Sequence, residues 1–266
     1  YSLDFKTAPL LKRPGIEGPI VDVEATPFAI VLGTTSPDPQ MRKLCERYAR
    51  NLAFGWEDWQ KYPPRFFRDT ELTDADMAAY SLILVGGPDE NAVTRKLAGS
   101  LPLSIQDRTM IIDGHSFDAP DATVQMVYPH PLNSNRYVLV VAATSPKGMF
   151  YAANMPRELD FCIQDGRQAD RDQGRPVEKV RIACGRFDGT WHIADEFLYE
   201  GDPAIRAASP IVFSPPYMDA GVKTNQLYLS DVLESRAVQT FWFLQRNVNA
   251  YGQPMTLGNT HYEHGI

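Results

Sequence analysis

Three short polar loops carry the residue types best suited to gripping a small ligand. They are Gly33-Thr34-Thr35-Ser36, Gly86-Gly87-Pro88-Asp89-Glu90-Asn91 and Thr144-Ser145-Pro146-Lys147-Gly148. Hydroxyls and N–H groups at a helix start can hold a phosphate, because the first helical N–H groups lack internal partners. Thr34, Thr35, Ser36, Gly87, Asn91, Ser145 and Lys147 are therefore the candidate ligand-binding residues. The run from Asp113 to Asp118, DGHSFD, contains the first half of a G-x-S-x-G nucleophile elbow. It lacks the closing Gly, and Ala119-Pro120-Asp121 leads towards a strand where an elbow needs a helix. Ser116 is expected in a surface loop, and no catalytic residue is assigned. The carboxylate pairs Glu57-Asp58, Asp74 with Asp76, and Asp89-Glu90 have ordinary spacing. Nothing fixes two of them across a cleft, as glycoside hydrolysis requires. His130 and His192 stand isolated, and no CxxC, HExxH or Cys/His cluster marks a metal site.

The elements that must position these loops follow from the hydrophobic pattern. Residues 1–27, rich in Pro and Gly, form an irregular lead-in expected to wrap over a neighbouring surface. Phe28 to Leu32 and Ser81 to Val85 are continuous apolar strands, Thr109 to Asp113 reads as another, and residues 122–144 read as a hairpin whose second arm is apolar. A helix starts near Ser36 or Asp38, with Pro39 in its first turn and Met41, Leu44, Cys45, Tyr48 and Leu52 on one buried stripe. Strands that are apolar throughout, alternating with helices, indicate a parallel sheet covered on both faces. The fold class is thus α/β, with a flavodoxin-like, doubly wound, mainly parallel sheet over residues 28–156. In such a fold the three loops meet in the crevice at the carboxyl ends of the strands. The loop after the first strand resembles the phosphate loop of flavodoxins. It departs from it at Pro37 and Pro39, which remove two N–H donors, and in lacking the Gly-Asn-Thr continuation. No cofactor is assigned.

Residues 157–223 read as short strands joined by polar turns, either a small β-rich module or an extension of the sheet edge. Composition changes again at residues 224–266. Cys45 reads as core, whereas Cys162 and Cys184 either pair or stay buried as free thiols. The net charge of -7 and the absence of any Lys/Arg cluster argue against a nucleic-acid partner. No apolar run is long enough for a membrane span. The chain opens on Tyr1 instead of Met, so removal of a preceding segment is expected.

Two stretches resemble known families. KRPGIEGPIVDVEATPFAIVLGTT, LILVGGPDENAVTRKLAGSLPLSI and MVYPHPLNSNRYVLVVAATSPKGM together resemble the region that follows the α/β-hydrolase domain in large bacterial esterase- or peptidase-like proteins. That likeness covers roughly residues 12 to 150. It implies an accessory role beside a hydrolase domain, or a second polypeptide of the same protein, in a secreted or periplasmic setting. The stretch from Leu227 to Ile266 resembles the opening of the NPCBM family of carbohydrate-binding modules, through Tyr228-Leu229-Ser230-Asp231, Gly252-Gln253-Pro254-Met255-Thr256-Leu257, Tyr262 and Gly265-Ile266. A β-sandwich cannot be completed by so few residues, since open edges and one apolar face would remain. An incomplete β-sandwich segment is therefore expected, completed by further sequence or another chain, or else packed as strands on the preceding module. Trp242, Tyr251 and Tyr262 are its candidates for stacking on sugar rings, and core packing is the alternative for each. The function expected is a non-catalytic accessory or scaffold portion of a larger bacterial hydrolase-like protein, with a carbohydrate association implied by the NPCBM-like segment. A flavodoxin-like enzyme or cofactor binder using the crevice at the strand carboxyl ends, or an assembly subunit of a multi-chain complex, are the alternatives.

Overall fold

The computed structural model describes residues 10–152, 157–167 and 180–209, together with the backbone of two short strands at 255–257 and 260–262. The chain divides into two compact units, residues 1–210 and 211–266.

The first unit is built on an eight-stranded mixed sheet. Its parallel half starts with β1 (Phe28–Leu32), flanked by β2 (Arg65–Arg68) on one side and β3 (Ser81–Val85) on the other. Every residue of β3 is buried, and β1 is buried from Ala29 onward, which is why both runs are apolar throughout. The fourth parallel strand is β8 (Asn133–Ala143), paired with β3. Beyond β8 every pairing is antiparallel. β7 (Thr123–His130) forms the expected hairpin with β8, and β9 (Phe161–Gln164), β10 (Ala183–Phe187) and β11 (Ile193–Glu200) continue the sheet in that order. Of the two forms expected for the segment after residue 157, the described strands take the edge-extension form.

The helices are set by their caps. Asp38 accepts from the Gln40 N–H at 2.8 Å and Pro39 opens α1 (Pro39–Gln60), which buries Met41, Leu44, Cys45 and Ala49. Tyr48 on the same stripe accepts from Gln125 Nε2 of β7 at 2.7 Å, so α1 lies across the sheet. Lys61, in the left-handed region at φ 57°, ends the helix before Pro63-Pro64. A Thr73/Asp76 capping box starts α2 (Asp74–Ala79), Asn91 caps α3 (Ala92–Leu97), Ser145 caps α4 (Pro146–Phe150) and Asp202 caps α5 (Pro203–Ala208). α1 packs on β1 and β3, and α2 on β3 and β8.

Between α3 and β7 the chain forms a separate antiparallel meander of β4 (Leu103–Gln106), β5 (Thr109–Ile112) and β6 (His115–Asp118). Two expectations are corrected here. The strand expected at 109–113 is not part of the large sheet. The expected Ser116 surface loop is instead strand β6. The reason is Asp113-Gly114, whose φ values of 49° and 83° make the tight two-residue hairpin that an Asp-Gly pair favours. Met110, Ile112 and Phe117 of the meander are buried.

From residue 10 the lead-in is fastened to the first unit. Lys12 Nζ pairs with the buried Asp160 at 2.6 Å and stands over the Trp191 ring. Gly18 N–H donates to the Tyr137 hydroxyl at 3.0 Å, and Ile16, Ile20 and Val23 are buried. In the second unit, β12 (Met255–Leu257) and β13 (Thr260–Tyr262) form an antiparallel pair with Met255 opposite Tyr262.

Candidate functional site

In the parallel half, the strand order changes direction between β1 and β3, and a ligand in such a sheet sits outside the carboxyl ends at that point. The loops there are the ones carrying Thr34, Thr35, Ser36, Gly87 and Asn91. They are tied directly to one another. Asp69, the first residue after β2 and 4% exposed, accepts from the Thr34 hydroxyl at 2.6 Å, the Thr34 N–H at 3.2 Å and the Ala92 N–H at 2.7 Å. One carboxylate thereby joins the loops after β1, β2 and β3. Asn91 is fully buried and uses both ends of its amide. Its Nδ2 donates to the Val31 and Val85 carbonyls, each at 3.1 Å, and its Oδ1 accepts from the N–H groups of Val93 and Thr94.

The backbone closes the same gap. Gly33 N–H reaches the Val85 carbonyl and Thr35 N–H the Glu90 carbonyl, both at 2.9 Å. A Cβ at Gly33 would lie 2.6 Å from each of those two carbonyl oxygens, so only glycine permits this approach. The Thr35 hydroxyl donates to the Asp89 carbonyl at 3.2 Å. Ser36 is buried, and its carbonyl accepts from the Arg42 guanidinium. The Glu90 carboxylate lies over Gly87, and burial, reinforced by the charge of Asp89, raises its pKa above the ordinary carboxylate value.

Ser145 and Lys147 sit at the start of α4. Ser145 Oγ donates to Asp121 at 2.7 Å and accepts from the Gly148 N–H at 3.0 Å, while Lys147 Nζ stands 3.5 Å from Asp121. Their partner is therefore Asp121, whereas Thr34, Thr35 and Asn91 bond with Asp69, Asp89, Glu90 and the strand ends. Trp242 and Tyr251 lie outside the described residues, and Tyr262 is placed only by its backbone in β13.

The outer side of the β1 loop is different. A shallow pocket of about 300 Å³ is lined by Thr34, Arg42, Lys43, Glu46 and Arg68, three of them cationic. Asp69 and this basic rim are absent from the sequence-derived candidates. The signal available was the short Arg65-Phe66-Phe67-Arg68-Asp69 run, a strand too brief to stand out beside the longer apolar ones.

His192 is not isolated, contrary to expectation. Its Nδ1 lies 2.9 Å from Asp113 Oδ1, and the other oxygen of Asp113 accepts from the Ile193 N–H at 2.8 Å. The hydrogen bond to Asp113 and the negative charge there raise the His192 pKa. This pair joins the β5–β6 turn to the β10–β11 turn. His130 is buried, with its pKa lowered chiefly by desolvation, and its Nδ1 accepts from the Leu132 N–H. Cys45 is buried as expected, and its thiol is pushed up to about 12 by desolvation. Among the described residues, no helix is long and apolar enough to cross a membrane. Neither a protein-family model nor a curated protein matches this chain.

Proposed function

We propose that the chain is a non-catalytic accessory portion of a larger bacterial hydrolase-like protein, built on a flavodoxin-like scaffold whose ligand crevice has been closed by its own side chains. The observation that supports this reading is the three-way acceptance by Asp69. The Thr34 hydroxyl and two loop N–H groups that a phosphate would need are bonded to a buried carboxylate. An incoming anion would have to break those bonds and sit beside a negative charge. The resemblance of residues 12 to 150 to the region following a hydrolase domain supplies the accessory setting, a secreted or periplasmic one. The NPCBM-like segment supplies the carbohydrate association. In this reading the partner is a hydrolase domain or second polypeptide of the same protein.

A second reading rests on the basic pocket beside Thr34, where Arg42, Lys43 and Arg68 would favour an anionic ligand or cofactor. The two are separated by assaying the full chain. Under the accessory reading, aryl esters and peptide anilides are not turned over above the blank, and flavin mononucleotide keeps its free fluorescence. Saturable flavin quenching that weakens with Arg68→Ala, or turnover of either substrate by the full chain, would overturn it in favour of the pocket.

A further inference from the structure

Cys162 on β9 and Cys184 on β10 are direct partners in the antiparallel register, flanked by the pairs Ile163–Ala183 and Phe161–Gly185. The hydrogen bonds show which kind of pair they form. Ile182 N–H donates to the Ile163 carbonyl, and Asp160 N–H to the Gly185 carbonyl, both at 2.9 Å. The backbone groups of residues 163 and 185 therefore point across the β9–β10 gap, so those of Cys162 and Cys184 point away from it. Theirs is a non-hydrogen-bonded pair, the type in which opposed Cα atoms approach to about 4.5 Å with side chains closest together. That separation lies within the range a disulfide spans. Opposed residues of an antiparallel pair also share a face, and both thiols are fully buried in one small cluster with Leu159 packed against them.

We infer that Cys162 and Cys184 form a cross-strand disulfide when the chain folds in an oxidising compartment, the buried thiol pair being its reduced form. Arg181 Nη1 lies 3.8 Å from Cys184 Sγ in the closed sheet. Cys184 as thiolate attacks one sulfur of a disulfide oxidant; that sulfur becomes bonded to Cys184 in a mixed disulfide, and the other half of the oxidant leaves as a thiolate. The Cys162 thiol then loses its proton and attacks the Cys184 sulfur, expelling the second half of the oxidant as a thiolate. Two cysteine thiols are oxidised by two electrons in total, and the oxidant disulfide is reduced to two thiols. Both cysteines are buried in the folded sheet, so exchange belongs to folding, or to opening of β10 and β11 at the sheet edge. The inference does not depend on how the crevice is read.

The test refolds the full chain from denaturant in a glutathione/glutathione-disulfide buffer, alkylates under denaturing conditions, and reads intact mass and a non-reduced peptide map. The expected product has one alkylatable thiol out of three, on Cys45, and a cross-linked peptide containing Cys162 and Cys184. Cys162→Ser and Cys184→Ser are each expected to leave two alkylatable thiols and no internal cross-link. Three alkylatable thiols in the refolded parent chain would overturn the inference, as would a cross-link that includes Cys45. Because the parent chain carries the decisive readout, a serine variant that fails to fold does not rescue the idea.

Discussion

The parallel and antiparallel halves of the one sheet are held together by different means. In the parallel half, adjacent strands are separated by long crossovers, and their carboxyl-end loops are joined by side chains: Asp69 across three loops and Asn91 across two strand ends. In the antiparallel half, β7–β8 and β10–β11 are joined by tight turns, and opposed residues face each other in register. Cys162 opposes Cys184, and His192 clasps Asp113 at the turns. Exposure differs as well. β3 is buried throughout, whereas β11 at the sheet edge leaves Phe197 and Tyr199 exposed. A parallel sheet offers its strand ends as a ligand crevice, and here that place is occupied by internal hydrogen bonds.

The largest expected effect is in the parallel half. Asp69→Ala removes the acceptor for the Thr34 hydroxyl and two N–H groups, and leaving such donors unpaired away from water costs about 4 kcal/mol in total. Chemical denaturation should show this as a lowered midpoint at unchanged slope. A loss within measurement error would mean that water reaches the crevice and the loops are not locked. Next comes the antiparallel half, where the Cys162–Cys184 disulfide would constrain the unfolded chain over a loop of roughly 20 residues. Its gain of about 3 kcal/mol is expected between reduced and oxidised forms in thermal melts. Equal melting of the two forms would mean that strain in the β9–β10 pair offsets the entropic term.

The smallest effect concerns the exposed clasp. The folded pKa of His192 is raised above its ordinary 6.5 by Asp113. Its contribution to stability is therefore fully present below about pH 6.5 and is lost as pH rises through the raised folded value. The His192 side chain is 65% exposed, so the pair is worth less than about 1 kcal/mol. His192→Gln should flatten the stability profile on the neutral side of pH 6.5 and leave the alkaline end unchanged. An unchanged profile would mean that the backbone bond from Ile193 N–H to Asp113 carries the clasp alone.

Several features were determined by the sequence itself. Phe28–Leu32 and Ser81–Val85 read as covered strands, because each is a short apolar run ended by a Gly-containing turn, too short for a buried helix. Asp38-Pro39 opens α1 by local capping and fixed φ, and the Met41/Leu44/Cys45 stripe marks its inner face. The Asp113-Gly114 hairpin was also written locally, in a pair suited to positive φ. Tertiary structure decided the rest. Thr34 meets Asp69 across 35 residues and Asn91 meets the Val31 carbonyl across 60, separations that no local pattern encodes. The same holds for Cys162 facing Cys184 and for His192 reaching Asp113, each set by strand register or the meeting of two turns. Hydroxyls and amides in a loop look alike in sequence whether they await a ligand or bind one another. Only the partners that folding brings alongside them distinguish an open crevice from a closed one.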